Sequence, residues 1–261
     1  MAPHNRKPGQ PLATISRRQF LSRSSTALAG SMVIALVLPE GTSAGVDGAE
    51  YDWNRHRWVY LIDTTKCIGC GSCVRACRAE NSVPPHMYRT WVERYEIAVE
   101  GETFIESPDG AEHGFNAVPT GLDVSKGFFV PKLCNHCRAT PCIQVCPVGA
   151  SFATRDGVVL VDPEHCIGCG YCVQACPYGS RFINPETRTA DKCTLCYHRI
   201  TAGKKTACVE ICPVGARRLG DRHDPDDDVM EILATHPIQV LQPELLTRPQ
   251  AFYLGLDMEV C

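Results

Sequence analysis

The sequence predicts an α+β fold made of two interleaved units, each built around two cysteine quartets, with a hairpin-containing insertion and an extended C-terminal arm. Three observations predict it. Of the 17 cysteines, all but Cys261 fall into four sets of four. Short strand-turn-strand segments separate the second quartet from the third and the third from the fourth. The remaining chain reads as a leader, a spacer or a cover for these quartets.

Cys67, Cys70, Cys73 and Cys77 stand in CIGCGSCVRAC, and Cys166, Cys169, Cys172 and Cys176 repeat that spacing in CIGCGYCVQACP. Cys134, Cys137, Cys142 and Cys146 form the wider CNHCRATPCIQVCP. In the last set, CTLC and CVEICP supply Cys193, Cys196, Cys208 and Cys212. Three thiolates at tight spacing wrap a loop around three iron corners of a cubane, and the fourth is carried off along a turn of helix. In two-cluster ferredoxins that fourth thiolate ligates the neighbouring cluster. The inventory matches four 4Fe-4S clusters, with all sixteen quartet cysteines as iron ligands. Gly69, Gly71, Gly168 and Gly170 allow the tight backbone bends such loops need. Ile68, Val74, Ile143, Val145, Ile167, Val173 and Ile211 are expected to line the clusters against water. Pro147, Pro177 and Pro213 each follow a fourth cysteine, whereas the first quartet ends in Cys77-Arg78.

Other cysteine chemistries fit less well. A structural zinc takes four ligands from two pairs and leaves the third cysteine of CxxCxxCxxxC unexplained. Disulfide frameworks belong to much smaller secreted domains. Covalent haem needs CxxCH, and Tyr197 displaces His198 from that position in CTLCYH.

The apolar fraction of 44% and charged fraction of 21% are those of a globular protein, and the net charge of -3 offers no basic field for nucleic acid. Residues 1–44 read as a signal peptide: Arg17 and Arg18 in SRRQFL precede an apolar run from Ala27 to Leu38, and Thr42-Ser43-Ala44 offers a cleavage site. The arginine pair resembles the twin-arginine signal, a route that exports folded proteins already loaded with cofactor. No later stretch reaches the roughly 20 apolar residues needed to span a bilayer. A periplasmic protein with no span after signal removal, peripheral on the outer face of the cytoplasmic membrane, is therefore expected.

WVYLIDT, from Trp58 to Thr64, reads as a strand entering the first quartet. In the insertion at 78–130, TWVERYEIAV and ETFIES flank Gly101 as a hairpin, and the segment from Ser107 to Ser125 reads as loop. Such an insertion either covers a cluster or meets a partner. Asp156-Gly157 and Asn184-Pro185 mark two further hairpin turns. Quartet, hairpin, quartet is the order of a ferredoxin-like unit. The inner unit is thus assigned to 131–189 and the outer unit to 58–77 plus 190–220, closing across it. Residues 221–261 begin in an acidic loop and continue in VLQPELLTRPQAFYLGLD, which reads as an extended arm over the surface. Cys261 reads as a terminal thiol without function.

These quartets, the wide gap after Cys196, the absent proline after Cys77 and the tail PELLTRPQAFYLG resemble the four-cluster electron-transfer subunits of molybdopterin oxidoreductases and related membrane complexes. The resemblance implies that Cys67, Cys70, Cys73 and Cys212 hold one cluster, and Cys193, Cys196, Cys208 and Cys77 its neighbour. It likewise implies that Cys134, Cys137, Cys142 and Cys176 hold a third, and Cys166, Cys169, Cys172 and Cys146 a fourth. Within the family, YDWNRHRWVYLIDTTKCIGCGSCVRACRAEN and RTWVERYEI look most like the periplasmic iron-sulfur subunit of the sulfite-reductase-associated transmembrane complex. Similar exported subunits serve tetrathionate, polysulfide and nitrite reductases and hydrogenases.

The implied function is relay of single electrons between an integral membrane quinone-interacting subunit and other redox subunits, with no catalytic residues of its own. A freely diffusing periplasmic polyferredoxin is the alternative. His136, His165 and His198 lie beside cluster ligands, where they either tune potentials or, more simply, hydrogen-bond the loops.

Overall fold

Val59, Tyr60, Leu61 and Ile62 are all buried, so the strand that carries them has to be covered on both faces. This is β1 (Trp58–Asp63). The computed structural model describes residues 51–116 and 123–260; the leader at 1–44 and Cys261 lie outside them. On one face of β1, Tyr60 and Ile62 join a core that includes Cys73, Cys193 and Cys208. On the other, Val59 and Leu61 pack with Val229 of helix α6 (Asp228–Thr235).

The first quartet runs into α1 (Ser72–Asn81). The insertion follows as β2 (Thr90–Ala98), β3 (Thr103–Glu106) and β4 (Val124–Leu133). The second quartet holds the single turn α2 (Pro141–Gln144) and leads to β5 (Ser151–Ala153) and β6 (Val159–Val161). The third holds α3 (Tyr171–Gln174), followed by β7 (Arg181–Ile183) and β8 (Ala190–Lys192). The fourth spans α4 (Tyr197–Ile200) and α5 (Ala207–Glu210), and the chain continues through β9 (Arg217–Asp221), α6, β10 (Ile238–Gln239) and β11 (Ala251–Leu254). Single turns such as α2 to α5 are far too short to persist alone.

Both expected hairpins between quartets form, β5 with β6 and β7 with β8, each antiparallel. At the second turn Asn184 Oδ1 accepts from the backbone N–H groups of Glu186 and Thr187. At the first, Asp156 is wholly buried and accepts from the Tyr51 hydroxyl at 2.6 Å and the Trp58 indole at 3.3 Å, while Tyr197 Oη donates at 3.2 Å. One turn carboxylate thereby ties β5–β6 to the start of β1 and to α4.

The insertion goes further than the expected hairpin. β2 and β3 pair as expected, but β4 adds a third strand on the other edge, with Thr90 opposite Leu133, where the sequence reads as loop running into a quartet. Tyr95 and Phe128 stack across it at 5.3 Å. Val92 and Pro131 face the first quartet, so this sheet covers a cysteine site.

The C-terminal arm is corrected by the structure. Residues 221–261 include a helix and two strands, and β11 lies in parallel register beside β1, with Tyr60 opposite Ala251 and Asp63 opposite Leu254. Tyr253 and Ala251 are buried in the core rather than laid on the surface. The physical reason is the unfilled edge of β1, whose backbone groups need a partner on the side away from β9. The acidic run is also more than solvated loop, because Asp227 caps α6 by accepting from Val229 N at 2.8 Å, and Asp221 accepts from Arg57 N at 2.7 Å.

Two long-range pairings bring the chain ends together. β1 pairs antiparallel with β9, from Trp58 opposite Asp221 to Ile62 opposite Arg217, and α1 packs on α5. Tyr253→Ala should lower stability by about 3–5 kcal/mol, as expected for an aromatic removed from a packed core. Leu246→Ala, at a side chain 77% exposed, should change it by less than about 0.5 kcal/mol. Anaerobic denaturant titration of the cluster-loaded protein checks both, and equal effects would contradict the assignment of the tail to the core.

Candidate metal centres

Each quartet begins with a loop that turns through the left-handed region at the same place, the second residue after its first cysteine. Glycine takes that conformation at Gly69 (φ 68°) and Gly168 (φ 67°), but His136 (φ 43°) and Leu195 (φ 52°) adopt it in the other two. Glycine is needed where the neighbours press close. A Cβ on Gly71 would lie 2.0 Å from the Ala111 carbonyl oxygen of the insertion, so that position also fixes how the cover meets the loop.

The loops aim backbone N–H groups at sulfur. Ala216 N donates to Cys212 Sγ at 3.3 Å, Ala190 N to Cys166 Sγ at 3.3 Å, Leu195 N to Cys193 Sγ at 3.4 Å and Ser151 N to Cys146 Sγ at 3.5 Å. Such bonds favour the thiolate, the form that binds iron. Burial works against it. The Cys67 thiol is pushed up to about 11 by burial, with Cys73 and Cys212 adding repulsion, and burial lifts Cys137 to about 12 with Cys134, Cys142 and Cys176 adding to it. At Cys70 burial also acts upward, but hydrogen bonds from Ser72 and the charge of Arg75 outweigh it and hold the thiol below its usual value.

Two sets of four thiols each line a hollow of their own. Cys67, Cys70, Cys73 and Cys212 line one together with Pro213 and Arg217. Cys134, Cys137, Cys142 and Cys176 line another with Tyr178 and Arg181. Burial pushes the Cys77 thiol well up, with the charges of Cys193, Cys208 and Cys196 adding to it, and Asn81 Nδ2 lies 3.6 Å from both Cys77 Sγ and Cys196 Sγ. Cys146 and the set Cys166, Cys169 and Cys172 are related less directly, through the packing of α2 on α3. Among the described residues no three His, Cys, Asp or Glu side chains gather as a single-ion site. The thiols of the first two sets line hollows instead.

The remaining polar groups fit such a centre. Buried nitrogens on Arg181 and Arg217, together with the Asn135 amide, have no partner within the chain. Donors left bare in a protein interior are costly, and sulfur-rich anionic clusters would accept from them. Tyr60 Oη lies 3.0 Å from Cys208 Sγ and Thr206 Oγ1 3.5 Å from it. Lys192 is buried with its ammonium donating to the carbonyls of Val159 and Cys193.

Tyr60, Asn81, Arg181, Lys192 and Arg217 were not among the residues expected from the sequence. The arginines carry a signal there, since each stands five residues past a fourth cysteine in CPYGSR and CPVGAR.

Some lining residues are corrected. Val74 is buried, Ile143 and Val173 pack beside Cys142 and Cys172, and Ile68 lines the hollow of the first quartet although it is 56% exposed, but Ile167 is 64% and Ile211 49% exposed, and Val145 is exposed as well. The loop bends around its centre with thiolates and N–H groups inward, which turns the intervening side chains out. Of the histidines, His136 accepts from Val159 N at 2.9 Å through Nδ1, and burial together with Lys192 and Arg181 holds its pKa well below the usual value. His165 bonds Asp162 and His198 bonds Glu80, each at 2.7 Å.

Fold and site together define a multicluster iron-sulfur protein. Comparison with known proteins agrees. Two family profiles, both described as a 4Fe-4S dicluster domain, match residues 66–150 and 125–222, sharing the second quartet. The sequence is 43% identical over 244 residues to the B subunit of tetrathionate reductase from Salmonella typhimurium, covering 93% of this protein and 89% of that one. It is 39% identical to protein NrfC of Escherichia coli, covering 92% and 95%, and 37% identical to the B component of polysulfide reductase from Wolinella succinogenes, covering 75% and 93%. The protein belongs to this family of 4Fe-4S electron-transfer subunits and carries four 4Fe-4S clusters. Among the described residues no helix is long and apolar enough to cross a membrane.

Gly71→Ala should strip iron from the first quartet, because its Cβ meets backbone. Gly170→Ala meets nothing within 4 Å and should keep full iron while costing about 1–2 kcal/mol for its left-handed φ. Iron and acid-labile sulfide per chain, with denaturant midpoints, separate the two; full iron in both variants would show that the cover does not shape the loop.

Proposed function

We propose that this protein is the exported electron-relay subunit of a membrane-bound reductase complex of the tetrathionate type. Electrons would pass one at a time between an integral membrane quinone-interacting subunit and a catalytic partner at the periplasmic face. The observation that carries this reading is the nearly end-to-end match to the B subunit of tetrathionate reductase. Its identity of 43%, against 39% to NrfC and 37% to the polysulfide reductase component, favours that partner over the other reductases and hydrogenases, over the sulfite-reductase-associated assembly suggested by the opening segments, and over a freely diffusing polyferredoxin. Arg17 and Arg18 support export by the twin-arginine route, after which the protein would rest on the outer face of the membrane.

Bound clusters supply one-electron exchange at potentials that the surrounding protein adjusts. This chain's own residues hold them, exclude water and donate hydrogen bonds to sulfur. We assign the ligand sets as two interleaved pairs. Cys67, Cys70, Cys73 and Cys212 neighbour Cys193, Cys196, Cys208 and Cys77 in an outer unit at 58–77 plus 190–220. Cys134, Cys137, Cys142 and Cys176 neighbour Cys166, Cys169, Cys172 and Cys146 in an inner unit at 131–189. Support comes from the two shared hollows, the crowding around Cys77, and the pairing of β1 with β9 and α1 with α5.

Native protein purified anaerobically from solubilised membranes is expected to retain a membrane subunit and a tetrathionate-reducing partner. Recovery as a loaded monomer would favour the diffusing carrier, and recovery with a sulfite-reducing assembly would replace the substrate class. Changing Arg17 and Arg18 to lysine together should leave cluster-loaded protein inside the cytoplasm, as read by fractionation; undiminished export would remove the twin-arginine reading. Cys212→Ala should perturb the cluster of Cys67, Cys70 and Cys73 in electron paramagnetic resonance spectra and spare that of Cys193, Cys196 and Cys208, whereas the opposite pattern would reverse the pairing.

A further inference from the structure

Arg181 and Arg217 open β7 and β9, five residues beyond Cys176 and Cys212. They are 4% and 2% exposed. Arginines that pair with carboxylates among the described residues are Arg78, Arg89, Arg94, Arg199 and Arg218, and these two are not in that group. Nε and Nη2 of Arg181 and both Nη atoms of Arg217 lack any partner. A buried guanidinium without a counter-charge costs several kcal/mol. Something anionic beside each must offset that cost.

Thiol sulfurs are what lie there. Arg217 lines the hollow of Cys67, Cys70, Cys73 and Cys212, and Cys73 shares one buried core with Cys193 and Cys208. Arg181 lines the hollow of Cys134, Cys137, Cys142 and Cys176, and Cys142 packs with Cys172 and Cys166. Under the pairing proposed above, on which this inference rests, Cys73 and Cys208 belong to the two members of the outer pair. Cys142 and Cys172 belong to the two members of the inner pair.

The repeat breaks its own symmetry at this point. Five residues beyond Cys146 stands Ser151, which accepts from Arg181 Nη1 at 2.9 Å, and five beyond Cys77 stands Ser82. Each pair of clusters therefore receives one guanidinium from one of its halves.

We propose that Arg217 and Arg181 are each the shared counter-charge of one cluster pair, raising the reduction potentials of both members together. A cubane with four thiolate ligands is anionic and gains a further negative charge on reduction. A fixed cation in the dry interior between two such groups stabilises the reduced state of each and weakens the repulsion between them. These are positioning and tuning residues, since no electron resides on them.

The test is potentiometric titration of the anaerobically purified full complex, followed by electron paramagnetic resonance, with iron counted in every variant. Arg217→Gln should keep all four clusters and shift two of them to lower potential. The expected size is at least tenfold in each reduction equilibrium, about 59 mV for a one-electron couple. Arg181→Gln should shift the other two, and Arg217→Lys should stay near the parent. Four unmoved potentials at full iron would overturn the proposal, as would Lys behaving like Gln. Loss of iron in both the Gln and Lys variants would make the residue structural and also overturn it. A shift on clusters that the cysteine variants assign to different pairs would overturn the pairing itself, and with it the sharing.

Discussion

Thiolates crowded into a protein interior repel one another, and the rest of this structure depends on the iron that holds them together. Burial and neighbouring sulfurs push the Cys67, Cys77, Cys137 and Cys193 thiols upward, so the polypeptide alone disfavours the state in which its ligands work. Metal binding reverses that balance and becomes part of the folding free energy. It also explains why one-turn helices such as Pro141–Gln144 and Ala207–Glu210 suffice as structure. They are held at their cysteines rather than by helix propensity.

That dependence shapes the frame. Hairpins β5–β6 and β7–β8 close locally, whereas β1 and β9 pair across more than half of the chain. Non-local pairings of this kind incur loop-closure entropy before they yield contacts. Tyr253 and its strand add a second covering edge to β1, and the insertion sheet seals the first quartet with Val92, Phe129 and Pro131. Asp156, accepting from three aromatic side chains, links the inner hairpin to the elements around it. Exposed Ile167 and Ile211 show that the loops turn their thiolates and N–H groups inward and part of their apolar side chains out.

Much of the fold was legible because its signals are local. The Asp156-Gly157 and Asn184-Pro185 turns, the strand from Trp58 and the hairpin around Gly101 all lie within short windows of sequence. β4 and β11 were not legible, since Gly127, Pro131 and Pro249 mask the strand character of segments that acquire it only from a neighbour's open edge. Left-handed turns at His136 and Leu195 were hidden for a similar reason: the surroundings impose a conformation that glycine announces and these residues do not.

By itself, the sequence determined the metal chemistry of this protein, because cysteine spacing is a direct statement of which atoms can reach one iron-sulfur cube. Only the tertiary structure decided what surrounds those atoms: the insertion as a cover, the tail as a core strand, and Arg181 and Arg217 as buried cations beside the sulfurs. The division has a physical cause. Ligation is specified over a few covalently linked residues, while burial and charge environment are set by segments that meet only after the polypeptide has folded.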